Sequence, residues 1–506
     1  MVKWGKSIGR YLGLAAGALA LSACASTRGD ASFEAQFELA EAALSKDIAV
    51  LASEEFMGRR PATQGEAKTL DYMQSELERA GLVSGTNDPS NPWRAPVPLV
   101  TSAALAGNVV FHIGDTNITM ADGEAAALTG SKRALVEEGA LVFVGEAETG
   151  VAADQVLGKV AVLQGEPGKS PARRAKLFEQ GASAVITIVA STDSITSLQR
   201  FSGRERFQLT SELDDNLSAF VTREAMERAF GDWANWEAQA AEEGFAPIAL
   251  PATVRIEASS DRRDAISHNL IGKLPGMRPD AGAILMLAHW DHFGECGEIG
   301  DEDRLCNGAA DNASGVAAMM ELARRLSASG PHDRDIFVLG TTAEEWGLLG
   351  AQAFTENPPV PLDTFVAAFN FDTVAIAPRG SEIGFIGEGE TALDPLVLDA
   401  IKESGREQGS RVLAEQFLRR QDGWALLQRD VPTVMVSSAF GNEEQLNGYI
   451  ETRYHNASDE VAGLELGGAV EDLLLHESLI TKIANASEYV VPAKASELVP
   501  AGAASQ

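Results

Sequence analysis

Residues 283–289, AILMLAH, run apolar without a break and then meet His289. The pattern returns at 335–345, DIFVLGTTAEE, where the apolar run leads to Glu344 and Glu345, and at 365–372, FVAAFNFD, where it leads to Asp372. A run that is apolar at every position suits a strand buried on both faces, as in a parallel sheet. Helical stretches separate the runs: ASGVAAMMELARRLSAS at 313–329 and LLGAQAFTEN at 348–357. Beyond them come helix LDPLVLDAIKESGREQG (393–409), a short helix GWALLQRD (423–430), strand PTVMVSS (432–438) and a last helix over about 470–489. Strand–helix alternation of this kind predicts an α/β fold, a mostly parallel sheet flanked by helices on both faces.

Working back from this stretch, residues 33–82 read as largely helical. Leu70, Met73, Leu77 and Ala80 recur at helical spacing and form one stripe, and Gly81 stands where a helix ends. The turn EFMGRRPATQGE (55–66) precedes that helix. From about 96 to 257 the chain changes to short β-branched runs broken by glycine, such as ALVFVG (140–145), KVAVLQG (159–165) and AVITIVA (184–190). Residues 157–190 read strand, turn, helix, strand. This resembles the protease-associated domain, so 96–258 is expected as a β-rich insert of that kind. The insert divides a larger domain into 33–95 and 259–492. The small polar tail, 493–506, is expected to be frayed.

The chemistry gathers near strand ends. His289, Asp311 (in NGAADNASG, 307–315), Glu345, Asp372 and His455 (in RYHNASDE, 453–460) are all of metal-ligating type. Two imidazoles and three carboxylates exceed the needs of one tetrahedral ion but suit two ions sharing a carboxylate. Glu344 is then a spare acid that can handle protons. In open α/β sheets ligands gather outside the carboxyl ends of strands, so these sequence-distant groups can converge.

The ordered set resembles the co-catalytic di-zinc aminopeptidases, the secreted bacterial leucyl aminopeptidase-like metallopeptidases, over roughly 49–82 and 268–490. The resemblance implies two zinc ions bridged by Asp311, with His289 and Asp372 at one ion and Glu345 and His455 at the other. It implies Glu344 as the proton shuttle, Asp291 as the carboxylate orienting His289, and Tyr454 as a donor to the oxyanion. The chain departs from the family pattern twice. Ala310 precedes Asp311 where an aspartate is common, and Gln421-Asp422-Gly423 stands where Ser-Asp-His is common. The second departure bears on substrate preference, with Phe417 and Trp424 as candidate pocket residues.

The ends and composition set the compartment. Lys3, Lys6 and Arg10 precede an apolar run at 11–21 that is too short to span a bilayer. Leu21-Ser22-Ala23-Cys24 resembles a bacterial lipobox. Residues 1–23 are therefore expected as a lipoprotein signal peptide, Cys24 as the lipidated residue and 24–32 as a tether. Ala25 after the cysteine implies the outer membrane, facing the periplasm or else the cell surface, with the lipid as the only membrane contact. A formal charge of −32 over 506 residues excludes nucleic-acid binding through bulk electrostatics. Cys296 and Cys306 flank an acidic loop and can pair in an oxidising compartment, for about 2–3 kcal/mol of chain-entropy stabilisation.

The expected activity is removal of N-terminal residues from peptides with free amino termini. A carboxypeptidase or dipeptidase on the same scaffold is the alternative, with Arg419, Arg420 or Arg453 holding a substrate carboxylate. A non-catalytic binding protein and a single-zinc cyclase are further readings, both opposed by the full ligand set.

Overall fold

The strand Ala283–His289 is buried at every residue. It pairs in parallel with Asp335–Thr341 on one side and Phe365–Asn370 on the other. Thr433–Ser437 extends the parallel run, and Gly384–Ile386 closes that flank in antiparallel. On the opposite flank residues 270–274 run antiparallel to Asp335–Thr341, with Val83–Ser84 beside them. The computed structural model describes residues 12–146, 151–165, 170–297 and 300–492, with the backbone alone over 12–30. Residues 1–11 of the expected signal peptide, the side chain of Cys24 and the tail 493–506 lie outside the described residues.

The all-apolar runs follow from burial on two faces. Ile284, Met286 and Ala288 pack with Leu44, Leu70, Val316 and Leu479. Leu285 and Leu287 pack with Phe354 and Leu426 on the other side. Each fully buried side chain of this size contributes about 1.5–3 kcal/mol, and nothing polar could be tolerated at either set of positions. The helices that cover the first face are Gly315–Ser329 and Leu466–Ala484, joined by Gln64–Arg79. Thr63 caps the last of these by accepting from the Gly65 amide, and Leu70, Met73 and Leu77 form its buried stripe. Gly81 follows with φ +91°, the left-handed geometry that ends a helix.

The backbone is also helical over Leu12–Leu51. The span contains no proline and is rich in alanine, so 24–32, expected as a tether, continue the helix. Among the described residues no helix is long and apolar enough to cross a membrane.

The chain divides into two compact units. The larger takes residues up to 97 and from 267 onward, and the smaller takes 98–266. Within the smaller unit, Arg133–Phe143, Val160–Gln164, Ala184–Val189 and Leu217–Thr222 pair in parallel in that order, with Ala125–Thr129 antiparallel at the edge. Its strands also bury both faces. Val160, Val162 and Ile186 join one cluster with Trp233, while Ala161, Leu163 and Val185 join another with Leu177.

Candidate metal centre

Strand register brings the ligand-type residues of the larger unit to one edge. His289 lies opposite Thr341, and Leu287 opposite Asn370. The three strands therefore release His289, Glu344–Glu345 and Asp372 side by side. The turn at 307–311 delivers Asp311 to the same place. His289 Nε2 stands 3.3 Å from Asp311 Oδ1 and 3.5 Å from Asp372 Oδ1. His455 Nε2 stands 3.4 Å from Asp311 Oδ2 and 3.0 Å from Glu345 Oε2. All five sequence-selected residues thus meet around Asp311, whose two oxygens face different imidazoles.

Sequence reasoning missed one imidazole. His292 Nδ1 lies 2.5 Å from Glu345 Oε1, and its ring is fully buried. The donor atoms form two groups sharing one carboxylate: His289, Asp311 and Asp372, and His292, Asp311 and Glu345, each within 4.8 Å. The signal was present, since His292 follows His289 by three residues in the same motif. Nε2 of His292 and Oδ2 of Asp291 are buried without a hydrogen-bond partner among the described residues. Buried polar atoms normally find partners. Imidazole nitrogens and carboxylate oxygens this close are the donor set of a divalent metal site, and zinc fits it.

The electrostatics agree with that chemistry. Burial works against charge on Asp311, but hydrogen bonds from His289 and His455 hold its carboxyl well below the usual range. Burial also opposes charge on His455, yet Asp311 and Glu345 push its pKa up to about 10. Glu344 behaves oppositely. Burial, with Asp372, Asp422 and Glu345 adding to it against His289, raises its carboxyl well above the ordinary value. A strongly perturbed acid in a cleft is a mark of proton-transfer chemistry.

The surrounding groups hold these side chains in place. Asp291, fully buried and raised to about 8 by that burial, accepts from the Glu344 amide at 3.1 Å. Its carboxylate is 3.9 Å from His289 Nδ1, while its backbone oxygen is closer, at 3.2 Å. Asn312 donates to the carbonyls of His289 and Phe371 and accepts from Gly315 and Thr373, locking two strand ends together. Asp459, four residues past His455, accepts from the amides of Ala310 and Asp311. This carboxylate therefore holds the backbone of the turn directly, at Ala310 and Asp311. Ala343, Thr373 and His455, each at or beside a ligand-type residue, sit in the left-handed region at φ 53°, 52° and 58°. Non-glycine residues held there cost roughly 1–3 kcal/mol each and concentrate at functional sites.

A cleft of about 520 Å³ opens on this cluster. His289, Asp311, Glu344 and Asp372 line its polar end, and Tyr454 lines it too, stacked on the His455 ring at 3.6 Å. Phe417, Met435, Phe440, Leu446 and Ile450 make its other wall apolar. Trp424 is not among the lining residues and instead carries the guanidinium of Arg419 at 5.1 Å. Gln421 accepts from Asn370 and from the Gly423 amide. A β-carbon at Gly423 would lie 2.6 Å from Gln421 Oε1. The same β-carbon would lie 2.7 Å from Thr433 Cγ2, so a side chain at 423 requires both neighbours to shift. Asp422 binds Thr341 Oγ1, and burial raises its carboxyl to about 6.

Cys296 and Cys306 are joined in a disulfide, and Cys296 Sγ lies 3.3 Å from the His455 carbonyl. The bridge therefore closes a hairpin against the segment that carries His455.

An α/β sheet with a buried imidazole–carboxylate cluster at its strand ends is the architecture of a metal-dependent enzyme. Residues 269–472 match the model of peptidase family M28. A vacuolar membrane protease of Candida glabrata is 35% identical over 92 residues, 18% of this chain and only 9% of that relative. Among solved structures, an aminopeptidase from Aneurinibacillus sp. strain AM-1 superposes with a TM-score of 0.53 at 18% identity, covering 90% of this chain and 96% of that one. A zinc aminopeptidase from Bacillus subtilis, BSAP, gives a TM-score of 0.45 at 17% identity, covering 89% and 96%. The first of these two superpositions supports the fold.

Proposed function

We propose that the larger unit is a two-zinc aminopeptidase that removes apolar residues from the free amino termini of peptides. The observation that carries this reading is the pair of donor groups sharing Asp311, with Glu344 beside them on the cleft wall. His289 and Asp372 would hold one ion, Glu345 with His455 or His292 the other, and Asp311 both. When bound, two such ions supply Lewis acidity to a scissile carbonyl and acidify a water. Glu344 takes that water's proton and returns it to the departing amine, a role that its raised pKa and freedom from the ligand set both suit. Tyr454 faces the cleft with its hydroxyl kept protonated by burial, and so can donate to a developing oxyanion. The acids at the polar end attract an α-ammonium group, and the apolar wall receives the first side chain.

The test compares leucyl peptides with their N-acetylated counterparts, with and without chelator. Chelator-sensitive release from the unblocked peptides alone supports the reading, and equal cleavage of both sinks it.

One observation keeps a dipeptidase reading in view. Arg453 is committed elsewhere, donating to Asp459, to the Glu460 carbonyl and to the Gly463 carbonyl. Arg420, by contrast, lines the cleft. A strong preference for free over amidated C-termini would favour that reading. Lipidation at Cys24 and an outer-membrane address facing the periplasm complete the proposal. Radiolabelled palmitate incorporation that survives Cys24→Ala would refute the lipid site.

A further inference from the structure

We propose that Arg59 is the positioning residue that sets the spacing of the two metal-ligand groups, an inference that rests on the two-ion reading above. Arg59 is fully buried. Its side chain donates to four backbone carbonyls: Nε to Trp290 at 2.9 Å, Nη1 to Leu51 at 2.9 Å and Asn307 at 2.6 Å, and Nη2 to Gly308 at 2.9 Å. Trp290 lies between His289 and Asp291, while Asn307 and Gly308 open the turn that ends at Asp311. One planar guanidinium therefore ties the segment carrying His289 and His292 to the segment carrying the shared carboxylate.

The placement is costly, which argues for a purpose. Among the described residues no carboxylate is hydrogen-bonded to Arg59, and its burial is offset by the field of the site's own acids, Asp311, Asp291, Asp459 and Glu345. Its backbone is also held in the left-handed region at φ 48°. The same turn is gripped from its amide end by Asp459, through the Ala310 and Asp311 amides. A cation at the carbonyl end and an anion at the amide end thus leave the turn little freedom. Gly308 confirms how tight it is: with φ +56°, an added β-carbon would lie 2.1 Å from the Asp311 carbonyl and 2.7 Å from the His292 ring. A shift of the turn is passed directly to Asp311 and His292. Lysine cannot replace this function, because a point ammonium with three donors cannot span carbonyls on both segments as a planar fork does.

The experiment is Arg59→Lys in the full chain, loaded with cobalt and then zinc beside the unaltered protein. Read out are metal stoichiometry, chelator competition, the visible and spin-coupling spectra of the cobalt form, and kcat against KM. The expected result is a folded protein whose second ion binds about 10- to 100-fold more weakly, with altered cobalt spectra, lowered kcat and little change in KM. A variant that holds both ions with unaltered affinity and spectra overturns the proposal. Should Arg59→Lys not fold, Asp459→Asn loosens the other end of the same turn and is judged by the same two outcomes. An unaltered protein that binds no metal at all overturns the two-ion reading and this inference with it. Two ions bound equally by both proteins overturn the inference alone.

Discussion

The two units each contain parallel strands with both faces buried, yet they end differently. In the larger unit the strands Ala283–His289, Asp335–Thr341 and Phe365–Asn370 lead into His289, Glu344–Glu345 and Asp372, and the buried polar residues nearby include Asp291, His292, Asp311, Asp422 and Asp459. In the smaller unit Arg133–Phe143 and Ala184–Val189 are followed within four residues by Glu146 and Asp193, and both of these acids are exposed. The buried polar residues described there are hydroxyl-bearing, such as Thr187 and Thr222, with no charged side chain among them. Sheet geometry alone therefore does not define a reactive edge. Buried charge at the strand ends does, because only charge with a partner to neutralise it is tolerated in a core.

The largest effect should come from removing the shared carboxylate. Asp311→Ala is expected to lose bound metal and activity together, with the activity loss exceeding the ~10⁴-fold ceiling of a missing general base. Metal analysis beside the peptide assay checks it. Full metal content in an inactive variant would show that Asp311 serves chemistry rather than coordination. Next in size is Glu344→Gln, expected to retain both metal and melting temperature while kcat falls by about 10²–10⁴. Loss of metal from that variant would move Glu344 into the ligand set and blur the line drawn between the two kinds of acid.

Much of this contrast could be read from the chain. Apolar runs ending in His289, Glu344–Glu345 and Asp372 gave both the strands and their chemistry, because a strand buried on two faces admits no polar residue until it leaves the sheet. His455 was legible only through its motif, since it sits on a loop after the helix Glu443–Thr452. What escaped was everything that depends on three-dimensional packing. Arg59 lies in the turn EFMGRRPATQGE, to which the sequence assigned no role, and its four carbonyl partners are backbone groups that no sequence pattern marks. Asp459 likewise acts on amides about 150 residues away. His292 was hidden by its neighbour, because His289 and Asp291 already satisfied the expected pattern.

A smaller effect should appear in the pH dependence of the metal-free protein. Burial raises Asp291 to about 8 and Asp422 to about 6. The folded chain then keeps protons that the unfolded chain, with ordinary carboxyls near ~4, has already lost. Stability consequently falls as pH rises through that window. His455, opposed by burial but held up to about 10 by Asp311 and Glu345, has the same sign. Its contribution is complete below its unfolded value of ~6.5 and is lost as pH climbs toward 10. The melting temperature of chelated protein should therefore decline from pH 6 to 9, and zinc should flatten the decline by replacing protons at the cluster. A chelated protein whose melting temperature rises over that range would contradict this assignment of buried charge.

The smallest effect sharpens the comparison from the other side. Glu146 and Asp193 are acids that follow strands of the smaller unit, but both are exposed. Glu146 has an arginine 3.8 Å away, a pairing worth little in solvent. Replacing both with their amides should shift stability by no more than about 0.5 kcal/mol and leave kcat/KM within about twofold. The comparison makes this expectation strict, because it holds that a strand-end carboxylate matters only when burial denies it water. A tenfold fall in kcat/KM, with the melting temperature unchanged, would show that an exposed acid at such an edge can serve the reaction. Burial would then have to be abandoned as the property that separates the two edges.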